Sequence, residues 1–140
     1  MQQIMPPPNK MIVTTTRSHS NETINKAVEA FAPDSVVRVG GAGNKVLQVL
    51  EGNAHAYVFA SAGCKKWDTC APEAILHSFG GRLTDCLGNN LTYKRNENFT
   101  NEFGVLASYS RDEHERYCSV IPTEIKSQIL EKAKSLFKCF

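Results

Sequence analysis

Apolar positions along this chain follow two periods, near two residues and near 3.6 residues, and the switches between them mark out the elements. Residues 11–15, with Ile12, Val13 and successive threonines, predict a strand, because β-branched side chains suit a pleated surface. Ser20 or Asn21 then caps a helix with Glu22 in its acidic first turn and a stripe of Ile24, Ala27, Val28 and Phe31. Pro33-Asp34 stops that helix, and residues 36–39 predict a second strand. Residues 44–50 predict a short helix closed by Gly52, and residues 56–59 a third strand. Ala71, Ala74, Ile75 and Phe79 recur at helical spacing up to Gly80-Gly81. Pro72 is tolerated only in the first turn of such a helix, so the start is expected near Asp68 or Thr69. Residues 82–84 and 91–93 read as two short strands, with turn residues at Asp85 and Gly88-Asn89-Asn90 between them. A polar loop over 94–101, a last strand over 104–108 and a short helix over 111–117 follow. Pro122 at a first helical position opens a terminal helix with the stripe Ile125, Ile129, Leu130, Ala133, Leu136 and Phe137. The alternation predicts an α/β domain, a mixed sheet of about five strands with helices on its faces. Residues 1–9 are expected to be irregular and 10–140 to form a single domain.

Composition narrows the classes. A 41% hydrophobic content supports a core, while the apolar runs fall far short of the roughly 18 residues that cross a membrane. Sixteen basic against fourteen acidic residues leave a net charge of +2, which argues neither for nor against nucleic acid as a partner. The expected partners include neither nucleic acid nor membrane. The opening Met1-Gln2-Gln3-Ile4-Met5-Pro6-Pro7-Pro8 has neither the basic nor the apolar region of a secretory signal. Five cysteines, at 64, 70, 86, 118 and 139, show no CxxC pair and no zinc spacing, so reduced thiols in the cytoplasm are the expectation. On the same ground the Asn98-Phe99-Thr100 sequon is expected to stay unmodified.

Three loops, each after a predicted strand, carry candidate chemistry. His19 follows the first. Gly40-Gly41-Ala42-Gly43-Asn44-Lys45 follows the second, where glycines admit a ligand close to the backbone, a helix start offers free N–H groups to phosphate, and Lys45 adds a cation. An ordinary glycine turn with a solvated Lys45 fits that string equally well. Asp68 follows the third and has two readings, a helix N-cap or a ligand for a hard divalent cation. Ligands gather at the carboxyl ends of strands, so the three loops face one crevice if the sheet brings those ends together. His55, His77 and His114 are assigned no role.

The string Trp67-Asp68-Thr69-Cys70-Ala71-Pro72-Glu73-Ala74-Ile75-Leu76, with Gly80-Gly81 and Thr84-Asp85 after it, resembles a signature of the inositol monophosphatase superfamily. Its Cys-Lys-Lys-Trp-Asp-Thr-Cys-Ala-Pro-Glu form is similar to the 3'(2'),5'-bisphosphate nucleotidase branch. The resemblance covers the chain from about Pro8 on and corresponds to the C-terminal half of such an enzyme. It implies the C-terminal domain of the inositol monophosphatase-like sugar phosphatase fold. It implies a lithium-sensitive enzyme that uses Mg2+ to remove the 3'-phosphate from adenosine 3',5'-bisphosphate, or its sulfated analogue, leaving AMP. Asp68 is then a metal ligand, and Thr16, His19, Gly41 and Lys45 hold the nucleotide. Trp67 is expected to pack beside the site, and Lys65 and Lys66 to raise the local positive potential.

The family also uses a further Glu and an Asp-Pro-Ile-Asp-Gly-Thr segment, which supply most metal ligands and help activate water. No Asp-x-x-Asp-Gly-Thr occurs in these 140 residues, so the catalytic set is empty here and the isolated chain is expected to be inactive or nearly so. Magnesium-assisted hydrolysis needs the metal to polarise the phosphoryl group and lower the pKa of a bound water, which one carboxylate supports poorly. The alternatives are a non-catalytic nucleotide-binding or interaction module of the same fold, and an enzyme like the inositol polyphosphate 1-phosphatases. The Ser18-His19-Ser20 loop and the Ala71-Pro72-Glu73 continuation favour the nucleotidase branch over the last. Surface normally covered by an N-terminal half is expected to cause self-association.

Overall fold

The computed structural model describes residues 3–18 and 20–137, and shows an α/β sandwich around one mixed sheet. Its elements run β1 (Ile12–Thr16), α1 (Glu22–Ala30), β2 (Ser35–Val39), α2 (Ala42–Leu50), β3 (Ala56–Phe59), β4 (Cys64–Lys65), a 3-10 turn (Lys66–Asp68), α3 (Cys70–Ser78), β5 (Arg82–Thr84), β6 (Thr100–Asn101), β7 (Val105–Ser108), α4 (Arg111–Val120) and α5 (Thr123–Phe137). The main sheet has five strands in the order β2-β1-β3-β7-β5. β1 pairs in parallel with β2 and with β3, from Ile12 opposite Ser35 to Thr16 opposite Val39 on one side and Val13 opposite Ala56 on the other. β7 runs antiparallel to both β3 and β5. The parallel arrangement puts the carboxyl ends of β1, β2 and β3 on one edge, the condition under which the three loops share a crevice.

Alternation along the strands divides the core into two faces. Val13, Ala56, Val58 and Leu106 join α1, α4 and α5 through Ala27, Val28, Tyr117, Ile121 and Ile125. Tyr57, Val105, Ala107 and Leu83 join α2 and α3 through Val46, Val49 and Leu76. Thr14 and Thr15 fill the middle of β1 without loss, because each hydroxyl donates to a carbonyl, Val37 at 2.9 Å and Val58 at 2.7 Å. Asn21 caps α1, its Oδ1 accepting from the Ile24 N–H at 2.9 Å.

Several expectations need correction. Residues 91–93 form no strand; β5 stays at the sheet edge, and Leu91 packs as loop cover on the second core face. The short pairing of β4 with β6 was not foreseen, since two-residue strands leave no period to read. α2 begins at Ala42, before Asn44, and α4 runs on to Val120. Pro122 immediately precedes α5 and its carbonyl accepts the Lys126 N–H at 3.1 Å. In that helix Ile125, Ile129 and Ala133 are buried, whereas Leu130 and Leu136 are exposed. The largest misreading is α3. Of its predicted stripe, Ala71, Ala74 and Ile75 face outward and Phe79 is half-buried at its C-terminal end, while Leu76 is its buried residue. Glu73 and His77 take the half-buried face because both find partners there, the Tyr93 hydroxyl donating to Glu73 and the Leu83 N–H donating to His77 Nε2 at 3.0 Å.

Candidate functional site

Period-two alternation sends Ile12, Thr14 and Thr16 to the face covered by α2 and α3. Thr16 therefore ends β1 on that face and lines one cavity of about 300 Å3 with Tyr57 of β3 and Lys45 of α2. Gly41 and Asp68 complete its polar wall. The structure thus brings together Thr16, Gly41, Lys45 and Asp68. His19 lies outside the described residues.

Each side chain is held by local geometry. Gly41 stands at the N-terminus of α2 with φ +81°, in the left-handed region that costs a residue with a Cβ roughly 1–2 kcal/mol. That conformation aims its carbonyl into the first turn, where it accepts from both the Lys45 backbone N–H and Lys45 Nζ, each at 3.2 Å. Lys45 is folded back and only 5% exposed, not solvated, with Nζ 5.6 Å from the centre of the Tyr57 ring. Burial holds its pKa below the usual lysine range, and neighbouring Cys64 acts in the opposite sense. Cys64 itself is pushed up to about 11, by burial first and then by Asp68, with Lys45 opposing, so its thiol stays protonated at neutral pH. A desolvated ammonium on a polar cavity wall is matched best by an anionic ligand.

Asp68 ends the 3-10 turn, and its Oδ2 accepts the Lys65 N–H at 3.2 Å. The carboxylate therefore closes the turn before α3 and does not cap that helix. Thr69 takes the cap position, with its hydroxyl donating to the Lys66 carbonyl at 3.1 Å. Asp68 is the one carboxylate among the described residues lining this cavity. The other acids near this motif lie elsewhere, Glu73 accepting from the Tyr93 hydroxyl and Asp85 Oδ1 accepting from the Leu87 and Asn89 N–H groups. Trp67 stands outside the cavity, 63% exposed, with its ring 5.9 Å from that of Phe99. Lys65 donates to Thr100 Oγ1 at 2.8 Å, and Lys66 pairs with Glu97 at 2.8 Å. The expectation that these lysines raise the local potential fails for Lys66, whose partner Glu97 is lowered to about 2, chiefly by that hydrogen bond. Tyr57, Phe59, Gly63 and Cys64 line the cavity without having been singled out in the sequence. The signal that could have found Tyr57 and Phe59 is their shared parity on β3, facing the helix that carries Lys45.

The arrangement offers one buried ammonium, the hydroxyl-bearing residues Thr16, Ser18 and Tyr57, a glycine turn and one carboxylate around a space of ligand size. Comparison with known proteins agrees with the fold and the motifs. A model of the inositol monophosphatase family matches residues 3–126. The mouse (Mus musculus) 3'(2'),5'-bisphosphate nucleotidase 1 is 53% identical over 124 residues, covering 89% of this chain and 40% of that protein. The fold is similar to SaIMPase-II bound to inositol monophosphate, with a TM-score of 0.74 at 16% identity over 98% of this chain and 51% of that one. The 2'AMP-bound SaIMPase-II gives 0.73 at 15% identity over 96% and 50%. The chain spans about two fifths of the length of the curated relatives it matches. By the match of the family model over most of its length, the chain belongs to the inositol monophosphatase family.

Proposed function

We propose that this chain is the nucleotide-binding part of a magnesium-dependent phosphatase that removes the 3'-phosphate from adenosine 3',5'-bisphosphate, or its sulfated analogue, giving AMP. The observation that supports this most is the single cavity lined by Thr16, Gly41, Lys45 and Asp68, in a chain 53% identical to a bisphosphate nucleotidase. In this reading Lys45 provides the cation for a phosphate, Thr16 and the Gly41 turn orient the nucleotide with His19, and Asp68 is the metal ligand. Asp68 suits a hard cation in its chemistry, but it brings one carboxylate, with one oxygen already bonded to Lys65. Magnesium binds through one or two carboxylates and substrate phosphates in near-ideal octahedral geometry. Among the described residues no group of three His, Cys, Asp or Glu side chains could hold a metal. The donor set within these residues is thus incomplete, and what the chain's own side chains do is bind and orient. That same single carboxylate favours the second reading, a nucleotide-binding module without turnover.

The test is calorimetric titration of the chain with AMP. Binding is expected, and Lys45→Ala is expected to weaken it about 10-fold, within the range for removing a hydrogen bond to a charged group. Equal affinity in wild type and variant removes Lys45 from the site.

A further inference from the structure

A second cavity, of about 390 Å3, lies against the first and shares Phe59 and Gly63 with it. The chain passes both cavities twice. Ser18 lines the first and Ser20 the second, while Phe59 and Gly63 line both and Ser61 and Ala62 the second alone. The chemistry of the two differs. The first carries Lys45 and Asp68; the second has no charged side chain among the described residues lining it, only hydroxyls, the Asn21 amide, alanine and the Phe59 ring. A phosphate is therefore favoured in the first, and a neutral group with an aromatic face in the second. Phe59 is half-buried and shares the parity of Tyr57 on β3, so its ring belongs to the same wall as the Lys45 cavity.

We propose that the nucleoside part of the ligand lies in this second cavity against the Phe59 ring, making Phe59 a determinant of preference for a nucleotide over a phosphate ester without an aromatic group. This rests on the function proposed above. Base–aromatic stacking has a strength that makes its loss visible as a change of about 10-fold in affinity.

The experiment is a nuclear magnetic resonance titration of the isotope-labelled chain with AMP and, separately, with inorganic phosphate. AMP is expected to shift the amides of residues 41–45 and also those of Ser61 and Ala62, and phosphate only the first set. Phe59→Leu and Ala62→Leu are each expected to weaken AMP binding about 10-fold, and Ala62→Leu, which narrows the second cavity alone, is expected to leave the phosphate response as in the wild type. AMP that shifts residues 41–45 but leaves Ser61 and Ala62 still, or binds both variants as tightly as the wild type, overturns this inference and leaves the proposed function standing. Phosphate that shifts both sets equally also overturns it. AMP that shifts neither set overturns the proposed function and this inference together.

Discussion

His114 shows how a residue given no role in the sequence carries a measurable property of the fold. It is 1% exposed and sits between two hydroxyls, Thr84 Oγ1 at 2.7 Å from Nε2 and Ser108 Oγ at 2.7 Å from Nδ1. Thr84 uses its own proton on the Asp85 carbonyl, so Nε2–H donates and Nδ1 accepts from Ser108, the neutral form. Burial, helped by Arg82 of β5 and His77 of α3, lowers its pKa to about 4. The folded state therefore resists a proton that the unfolded chain accepts below about pH 6.5. Stability from this group is full above that pH and is lost as pH falls from 6.5 toward 4, by about 3 kcal/mol in all. Urea midpoints at pH 7 and pH 5 should differ in the wild type, and much less in His114→Gln. An equal pH dependence in both would remove His114 as the cause. At this scale the motifs name Asp68 and Lys45, and the structure places both on one cavity wall. His114 was not legible, because its hydroxyl partners are distant in the chain, whereas parity on β3 was the one signal that Tyr57 and Phe59 share a face.

Element by element, helices with a single apolar stripe were readable and those with competing stripes were not. α1 presents one face, and Ile24, Ala27, Val28 and Phe31 all bury on it. α3 offers two, and the winner is decided by polar partners on the sheet side, which no periodicity reveals. Residues 91–93 failed for a related reason: Tyr93 spends its hydroxyl on Glu73 and lies 3.2 Å from Thr69 Oγ1, tying the loop to the first turn of α3 next to Asp68. Burial, with Glu73 adding to it, raises the Tyr93 pKa, so the hydroxyl keeps its proton and stays a donor. Tyr93→Phe is expected to cost about 1–2 kcal/mol, a partly exposed hydrogen bond to a charged group. The amides of residues 69–73 should exchange faster with solvent in the variant, while those of β1 and β3 keep their rates. Uniform acceleration across the sheet would show global destabilisation instead and contradict the local tie.

For the whole molecule, the five-strand mixed sheet followed from the alternation of periods, while the proposal of an incomplete metal site rests on the single carboxylate among the described residues lining the cavity. The outward face of α3 has a consequence at this scale. Ala71, Ala74 and Ile75 are exposed there, as is Leu47 on α2, the helix packed beside it. Exposed apolar surface of this kind favours self-association. Sedimentation is expected to show concentration-dependent oligomers that Ile75→Lys reduces, and an unchanged distribution would remove this face as the contact. The central claim is that the chain binds a nucleotide and supplies one metal ligand without turning substrate over. The most direct measurement is phosphate release from adenosine 3',5'-bisphosphate by the purified 140-residue chain, with and without magnesium. The expected result is release no faster than the protein-free control in either condition. Robust magnesium-dependent turnover, lost on Asp68→Asn, would contradict the account and require a metal site built from more than the one carboxylate in the cavity.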